Sequence, residues 1–213
     1  MKETTKKIYE ELFERYPALT LLKENVLNTF NIIKSTYENG GTLYICGNGG
    51  SASDSEHIVG ELLKTFKKHR KVDSKTADYL LTYGEDGKYL LEHLEGSLPA
   101  VSLISQTGII TAFANDKSWD TAFAQQLYGL GKKGDCLLAL STSGNSKNCV
   151  YAALLAKAKE ISTVAFTGMG GGRLKAVCDE CISVPEKETY KIQELHLPTY
   201  HTLCAMLEEE FFD

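Results

Sequence analysis

The chain of 213 residues lacks the long apolar segments that mark membrane proteins and exported proteins. No apolar run approaches the roughly 20 residues that a membrane helix needs. The first seven residues also lack the apolar core of a signal peptide. We therefore expect a cytoplasmic protein that does not bind a membrane.

A second CxxC pair is missing as well. Cys178 and Cys181 have CxxC spacing, but a structural zinc site needs further cysteine or histidine ligands at matching spacing. The remaining cysteines lie in apolar strand-like or helix-like runs, at positions 46, 136, 149 and 204. A buried free thiol behaves as a small apolar side chain, so we predict structural thiols.

The nucleotide-binding patterns GxGxxG and GxxxxGK[ST] are absent from the glycine-rich segment 46–53. This absence removes the main reason to predict a dinucleotide or a nucleoside triphosphate as ligand. The net charge of -5 argues against nucleic acid as a partner.

The segment 46–53 reads Cys-Gly-Asn-Gly-Gly-Ser-Ala-Ser and lies between a strand-like run and a helical pattern. Glycines let the backbone approach a ligand closely, and a helix N-terminus offers unpaired N–H groups to an anion. His57 and Glu61 are four residues apart and share one face of the following helix. An anion site beside a pair suited to acid–base chemistry or metal binding is what a phosphosugar enzyme needs.

Short apolar runs alternate with helical patterns along most of the chain. The predicted strands are 42–46, 100–104, 136–140, 162–167 and 182–184. The predicted helices are 4–37 (interrupted near Pro17), 54–67, 107–114, 121–130, one that opens at 141–146 and runs to about 159, and 190–211; residues 168–172 form a flexible glycine loop. This alternation predicts an α/β fold, a three-layer αβα sandwich with a mainly parallel sheet. We expect one domain over 1–213, with N-terminal helices over 1–39 and a helical insertion over 67–98.

Two polar loops, 47–53 and 141–146, follow the carboxyl ends of predicted strands. In an open α/β sheet these ends meet at one edge, where ligands bind. The second loop reads Ser-Thr-Ser-Gly-Asn-Ser and has four hydroxyls, whereas capping a helix N-terminus uses one. We therefore predict that residues 141–146 bind a phosphate group.

The last helix contributes Gln193 and His201 as candidates to complete the set that His57 and Glu61 begin. Eight residues of straight helix span about 12 Å, so both side chains cannot reach one metal ion from a straight helix. A helix kink at Pro198, which lies between them, is one solution, and a neighbouring subunit that supplies one of the two residues is the other. His196 and Glu194 are interpreted as surface or interface groups.

Together these motifs resemble those of sugar isomerase (SIS) domains. The resemblance is carried by 46–51, His57 with Glu61, Asn115 with Asp116, 141–146, and 192–196 with His201. Within this family the chain is similar to the phosphoheptose isomerases from about residue 20 onward, apart from one segment. The resemblance implies a cytoplasmic homotetramer with active sites between subunits. It also implies isomerisation of sedoheptulose 7-phosphate to glycero-manno-heptose 7-phosphate through an enediol.

The resemblance further assigns roles to single residues. Glu61 and His201 would be the acid–base pair of catalysis. Zinc, as one divalent ion per site, would be bound by His57, Glu61, Gln193 and His201. The residues in contact with the phosphorylated sugar would be Asn48, Gly49, Gly50, Ser51, Glu61, Asn115, Asp116, Ser141, Thr142, Ser143, Ser146 and Gln193, and the serine and threonine residues of 141–146 would hold its phosphate.

The chain departs from the family pattern in two places. Roughly two dozen residues between Lys67 and Pro99 are extra, and Tyr190 and Lys191 stand where the family often has Asp and Arg. Two other functions therefore stay open. One is a non-catalytic SIS protein that binds a replication initiator or senses a sugar phosphate, against which Glu61 with His201 argues. The other is an SIS isomerase for a different sugar phosphate.

Overall fold

The computed structural model describes residues 1–212 and contains a parallel five-stranded sheet. The strands are β1 (Leu43–Cys46), β2 (Ala100–Ser102), β3 (Cys136–Leu140), β4 (Ser162–Thr167) and β5 (Glu180–Ser183). Their spatial order is β2-β1-β3-β4-β5. The carboxyl ends of β1 and β3 therefore lie side by side where the strand order reverses, which is where open α/β sheets bind ligands.

The part of the chain that the structure describes contains ten α-helices. They are α1 (Glu3–Arg15), α2 (Lys23–Glu38), α3 (Gly50–Leu63), α4 (Ser74–Leu81), α5 (Glu85–His93), α6 (Thr107–Asp116), α7 (Ala122–Leu130), α8 (Lys147–Ala158), α9 (Gly172–Val177) and α10 (Thr189–Phe211). Short 3₁₀ helices span Pro17–Leu22 and Trp119–Thr121.

Alternate residues of each strand pack on opposite faces of the sheet. Leu43 and Ile45 join a core with side chains of α1, α2, α3 and α10. Tyr44 and Cys46 join a second core with side chains of α6, α7 and α8. Helices thus cover both faces, and the predicted three-layer αβα sandwich is confirmed.

The N-terminal helices pack on the first of these cores. The chain turns at Pro17, as predicted, and α2 ends at Glu38 with the glycine signal that the sequence shows. Gly40 has a φ of +70°, and the N–H groups of Gly40 and Gly41 donate to the carbonyls of Tyr37 (3.0 Å) and Thr36 (2.8 Å). This is the Schellman ending of a helix, and it directs the chain into β1.

Two local predictions were wrong. Helix α3 begins at Gly50 and not at residue 54, because the backbone turns at Gly49, whose φ of +56° suits glycine. Segment 168–172 is not simply a flexible loop, since α9 begins at Gly172. Segment 141–146 lies against it: the Gly168 N–H donates to the Thr142 carbonyl (2.8 Å) and the Leu174 N–H donates to that of Gly144 (3.0 Å).

The segment 67–98, predicted to be a helical insertion, contains the helical hairpin α4–α5. Gly87 is buried where the two helices cross. Glycine is needed there because a Cβ would lie 1.8 Å from the Leu80 carbonyl oxygen. The other residues of both helices are exposed or half-buried, so the hairpin projects from the domain.

The base of the insertion is held by a buried ion pair between Arg70 and Glu208, which are 0% and 1% exposed. Arg70 Nε donates to Glu208 Oε1 at 2.8 Å. The two terminal nitrogens of Arg70 donate to the carbonyls of Leu62 (2.7 Å) and Glu61 (2.8 Å) at the end of α3. Glu208 also accepts the backbone N–H groups of residues 66, 67 and 68. The pair therefore joins the ends of α3 and α10.

All six cysteines are free thiols, and five of them are buried, which agrees with the prediction of structural thiols. Burial raises the pKa of the Cys178 thiol to about 12, so this member of the CxxC pair stays protonated at neutral pH. No helix within residues 1–212 is both long and apolar enough to span a bilayer.

We expect Glu208→Gln to lower the free energy of unfolding by about 3–5 kcal/mol, because it leaves the charge of Arg70 buried without a counter-charge. Urea denaturation measures the change. Glu10→Gln is the matched control, since Glu10 pairs with Lys23 at 2.6 Å with both side chains about two-fifths exposed, and such pairs contribute about 1 kcal/mol or less. Equal losses in the two variants would contradict the expectation.

We expect Gly144→Ala to destabilise the protein by about 1–3 kcal/mol. Gly144 has a φ of +66°, and a Cβ there would lie 2.0 Å from the Gly171 carbonyl oxygen. Gly129→Ala in α7 is the control, because a Cβ at that position meets open space and alanine favours a helix. Thermal unfolding compares the two, and an unchanged melting temperature for Gly144→Ala would refute the predicted clash.

Candidate active site

Three of the predicted site residues meet between α3 and α10. His57 and Glu61 lie on one face of α3, and His57 Nε2 is 3.2 Å from Glu61 Oε1. His201 on α10 brings its Nε2 to 3.4 Å from His57 Nε2. The Glu61 side chain is 14% exposed and that of His57 is 43% exposed. A carboxylate and two imidazoles thus face one another at a half-open position.

Gln193 also lies on α10 but away from these three residues. Its Nε2 is so near the start of α3 that a Cβ on Gly50 would lie 2.4 Å away. Helices α3 and α10 run side by side in the same direction, with Gln193 beside Gly50 and His201 beside His57. Helix α10 continues through Pro198 without a break, so one chain holds Gln193 about two helical turns from His201.

Two separations between donor atoms match the geometry of a zinc site. Zinc–nitrogen bonds of about 2.0–2.1 Å in a tetrahedral site hold two ligand atoms roughly 3.3 Å apart, close to both separations around His57 Nε2. Within residues 1–212, no group of three or more His, Cys, Asp and Glu side chains is arranged to hold a metal ion. One chain therefore supplies donors at suitable spacing and does not close the four-residue set.

Burial and the neighbouring charges together favour the neutral form of His201. Burial lowers the pKa of His201, the neighbouring His57 lowers it further, and Glu61 opposes both effects. The ring of Phe66 packs on that of His201 at 5.4 Å between centroids.

His196 is not the surface group that the sequence suggested. It is 0% exposed, and burial lowers its pKa to about 4. Its Nε2 lies 3.2 Å from the carbonyl oxygen of Thr167. His196 is therefore a neutral core residue that binds the end of β4.

The glycine-rich segment 47–53, called the glycine loop from here on, and the serine loop (141–146) are linked by a pair of amide side chains. Asn48 Nδ2 donates to Asn148 Oδ1 at 2.9 Å, and Asn148 Nδ2 donates to Asn48 Oδ1 at 2.8 Å. Asn148 is buried on α8. Ser51, which was predicted to contact the sugar, is buried in the first turn of α3. The Asn48 amide is thus already paired within the chain, and it fixes the two loops beside each other at the sheet edge.

The hydroxyls of the serine loop do not cap α8. Ser146 precedes the helix, but its side chain makes no capping hydrogen bond. Instead the Ser141 hydroxyl donates to Ser146 Oγ at 3.0 Å, while Ser143 Oγ accepts the N–H of Asn145 at 3.1 Å. These hydroxyls are therefore used within the loop itself, which follows the carboxyl end of β3, and phosphate binding by the loop stays a prediction.

Asn115 and Asp116 lie apart from these loops. They are exposed at the end of α6 and hydrogen-bond to each other at 2.9 Å. No hydrogen bond among the described residues joins either of them to the glycine loop or to the serine loop.

A cleft of about 280 Å³ lies between α1 and α10, and its lining includes Phe66, Pro198 and His201. Among the predicted site residues, His201 is the one that lines it. Its lining therefore includes no residue of the glycine loop or of the serine loop.

Four residues next to the site were missed by the sequence reasoning. Arg70 supports the end of α3, Asn148 pairs with Asn48, and Tyr200 and Asp54 contact His57 in series. Only Asp54 carried a usable signal, because it lies three residues before His57 on the same helical face. The other contacts depend on how distant helices pack.

Comparisons with known proteins agree with this architecture. The family described as the SIS domain matches residues 10–168. The phosphoheptose isomerase of Akkermansia muciniphila is 36% identical over 199 residues, which cover 93% of this chain and 92% of that protein. The probable phosphoheptose isomerase of Thermoplasma acidophilum is 38% identical over 193 residues, covering 91% and 92%.

Solved structures give the same result. The phosphoheptose isomerase of Neisseria gonorrhoeae superposes with a TM-score of 0.74 at 28% identity, covering 97% of this chain and 98% of that chain. A phosphoheptose isomerase of Francisella tularensis gives a TM-score of 0.75 at 27% identity, covering 98% and 100%. The chain therefore belongs to the SIS domain family and, within it, to the phosphoheptose isomerases.

Proposed function

We propose that the protein isomerises sedoheptulose 7-phosphate to glycero-manno-heptose 7-phosphate through an enediol. The observation that carries the proposal is the meeting of Glu61, His57 and His201 on α3 and α10, whose first turns lie at the same sheet edge as the serine loop. Aldose–ketose isomerisation needs a carboxylate near the reacting carbon, an acid for the oxygens and a grip on the remote phosphate. Membership of the phosphoheptose isomerases supports the choice of substrate.

The phosphate group is assigned to the serine loop. The hydroxyls of Ser141, Thr142, Ser143 and Ser146 and the uncapped start of α8 offer donors to the phosphate oxygens. Asn48, Gly49, Gly50, Ser51, Asn115, Asp116 and Gln193 are assigned to the sugar. Because Asn48 is already paired with Asn148, its contribution is to hold the loop in place and to offer its backbone to the ligand.

The proton transfers are assigned to two side chains. Glu61 takes the proton from the carbon next to the carbonyl and returns it to the neighbouring carbon. His201 moves a proton between the substrate oxygens.

Zinc is the proposed cofactor, one ion per site, with His57, Glu61, His201 and Gln193 as the residues that would hold it. Bound there, it would polarise the substrate carbonyl and stabilise negative charge on oxygen. The separations of His57 Nε2 from Glu61 Oε1 (3.2 Å) and from His201 Nε2 (3.4 Å) each suit a pair of zinc ligands and support this assignment. The distance of Gln193 from His201 supports a set completed across a subunit boundary.

For this reason we propose a homo-oligomer, most simply a homotetramer, with sites between subunits. The separation of Asn115 and Asp116 from the two loops supports the same arrangement, because a second subunit can bring such residues to the site. The proposed location is the cytoplasm.

Replacing Glu61 by Gln should lower turnover of sedoheptulose 7-phosphate by at least about 100-fold, because the amide cannot accept the carbon-bound proton. Binding of the sugar phosphate, measured by calorimetry, should persist. Glu56→Gln on the exposed side of the same helix, where Glu56 accepts a hydrogen bond from Ser105 at 2.9 Å, should leave turnover unchanged. Full activity in Glu61→Gln would remove Glu61 from the mechanism.

The substrate and the cofactor are tested together by following aldose product from sedoheptulose 7-phosphate with and without a strong chelator. We expect product without chelator, loss of activity with it, and recovery on adding zinc. Product only from a different ketose phosphate would change the substrate and keep the reaction class. Activity that resists complete removal of metal would exclude zinc from the proposal.

A further inference from the structure

Two side chains outside the proposed catalytic and ligand sets stand behind His57. Tyr200 precedes His201 on α10, is 1% exposed, and places its hydroxyl oxygen 3.0 Å from His57 Nδ1. The same hydroxyl donates to Asp54 Oδ1 at 3.2 Å. Asp54 Oδ2 is buried and has no hydrogen-bond partner among the described residues. Asp54, Tyr200 and His57 therefore form a chain of hydrogen bonds that ends at the site.

The direction of these hydrogen bonds follows from the chemistry of the groups. A tyrosine hydroxyl has one hydrogen, and an ionised carboxylate only accepts. Because the Tyr200 hydrogen is used on Asp54, its oxygen must accept a hydrogen from His57 Nδ1. The other ring nitrogen, Nε2, is then the one without a fixed hydrogen, and it is the atom that faces Glu61 and His201.

We propose that Asp54 and Tyr200 are positioning residues that keep the proton of His57 on Nδ1 and so leave Nε2 free to bind the metal ion. This inference rests on the proposed zinc site. A histidine that binds a metal generally donates its other ring N–H to a supporting group, which sets the ring orientation and the position of the proton. Here the supporting group is a tyrosine backed by a carboxylate.

The His57 ring needs this support because the Glu61 carboxylate lies close to its Nε2. Without the Tyr200 hydroxyl, Nδ1 has no acceptor, whereas Glu61 Oε1 is only 3.2 Å from Nε2. The proton of a neutral His57 ring would then lie on Nε2 and point at Glu61 Oε1. Both of these atoms are proposed to bind the metal. A metal ion would have to displace this proton before it could bind.

Tyr200→Phe removes the hydroxyl and keeps the ring, which packs edge-on against His57 (5.6 Å) and His201 (4.9 Å). Tyr37→Phe is the matched control. Tyr37 is also buried, but its hydroxyl has no hydrogen-bond partner within residues 1–212, and it packs on Phe211 away from the site. The two variants lose the same atom in the same kind of surroundings.

The zinc affinity of the metal-stripped protein, measured by competition with a chromogenic chelator, tests the proposal without reference to activity. We expect Tyr200→Phe to bind zinc about 10–100-fold more weakly than wild type, Asp54→Asn to show a smaller loss, and Tyr37→Phe to bind as wild type. Wild-type affinity in Tyr200→Phe, with an unchanged melting temperature, would overturn the proposal.

Nitrogen-15 NMR of the His57 ring provides a second measurement, which uses the metal-free wild type at a pH where histidine is neutral. His57→Gln identifies the signals. We expect the proton on Nδ1 in wild type and on Nε2 in Tyr200→Phe. A protein that binds no zinc would refute the metal part of the proposed function, and the ring proton would then decide this inference separately: a proton on Nε2 in wild type would overturn it.

Discussion

The buried ion pair between Arg70 and Glu208 is the constraint on which the candidate site depends. Arg70 binds the backbone carbonyls of Glu61 and Leu62, so the charge pair fixes the end of the helix that carries the proposed base. Glu208 belongs to the helix that carries His201. Because two charges inside a protein are tolerated only in pairs with further hydrogen bonds, the ends of α3 and α10 must stay together. The exposed hairpin α4–α5 begins directly after this anchor.

The parallel course of α3 and α10 explains which site residues one chain can unite. Contacts repeat at two levels, Gly50 with Gln193 and His57 with His201. A helix advances about 1.5 Å per residue, so eight residues separate Gln193 from His201 whatever the side chains do. The same geometry that assembles the acid–base cluster therefore keeps the fourth proposed ligand away from it.

The glycine loop, the serine loop and segment 168–172 are held in shape by close packing of their backbones. A Cβ on Gly144 would lie 2.0 Å from the Gly171 carbonyl oxygen, and one on Gly172 would lie 2.5 Å from the Ser143 carbonyl oxygen, so neither segment could carry a side chain at these positions. The Asn48–Asn148 amide pair joins the serine loop to the glycine loop. Preformed loops of this kind lose little conformational freedom when a ligand binds. The segment 168–172 looked mobile in the sequence because glycine runs signal both freedom and close approach.

By itself the sequence determined the α/β fold, the strand ends that carry the two polar loops, and the pairing of His57 with Glu61. These features depend on periodicity and on spacing within one element, which a linear pattern records. Only the tertiary structure decided that His201 meets His57 across 144 residues of chain and that Gln193 does not. It also decided that His196 is buried and that Tyr200 and Asp54 lie behind His57. Those contacts depend on how α10 packs against α3 and the sheet, and neighbouring residues of one helix reach different surroundings for that reason.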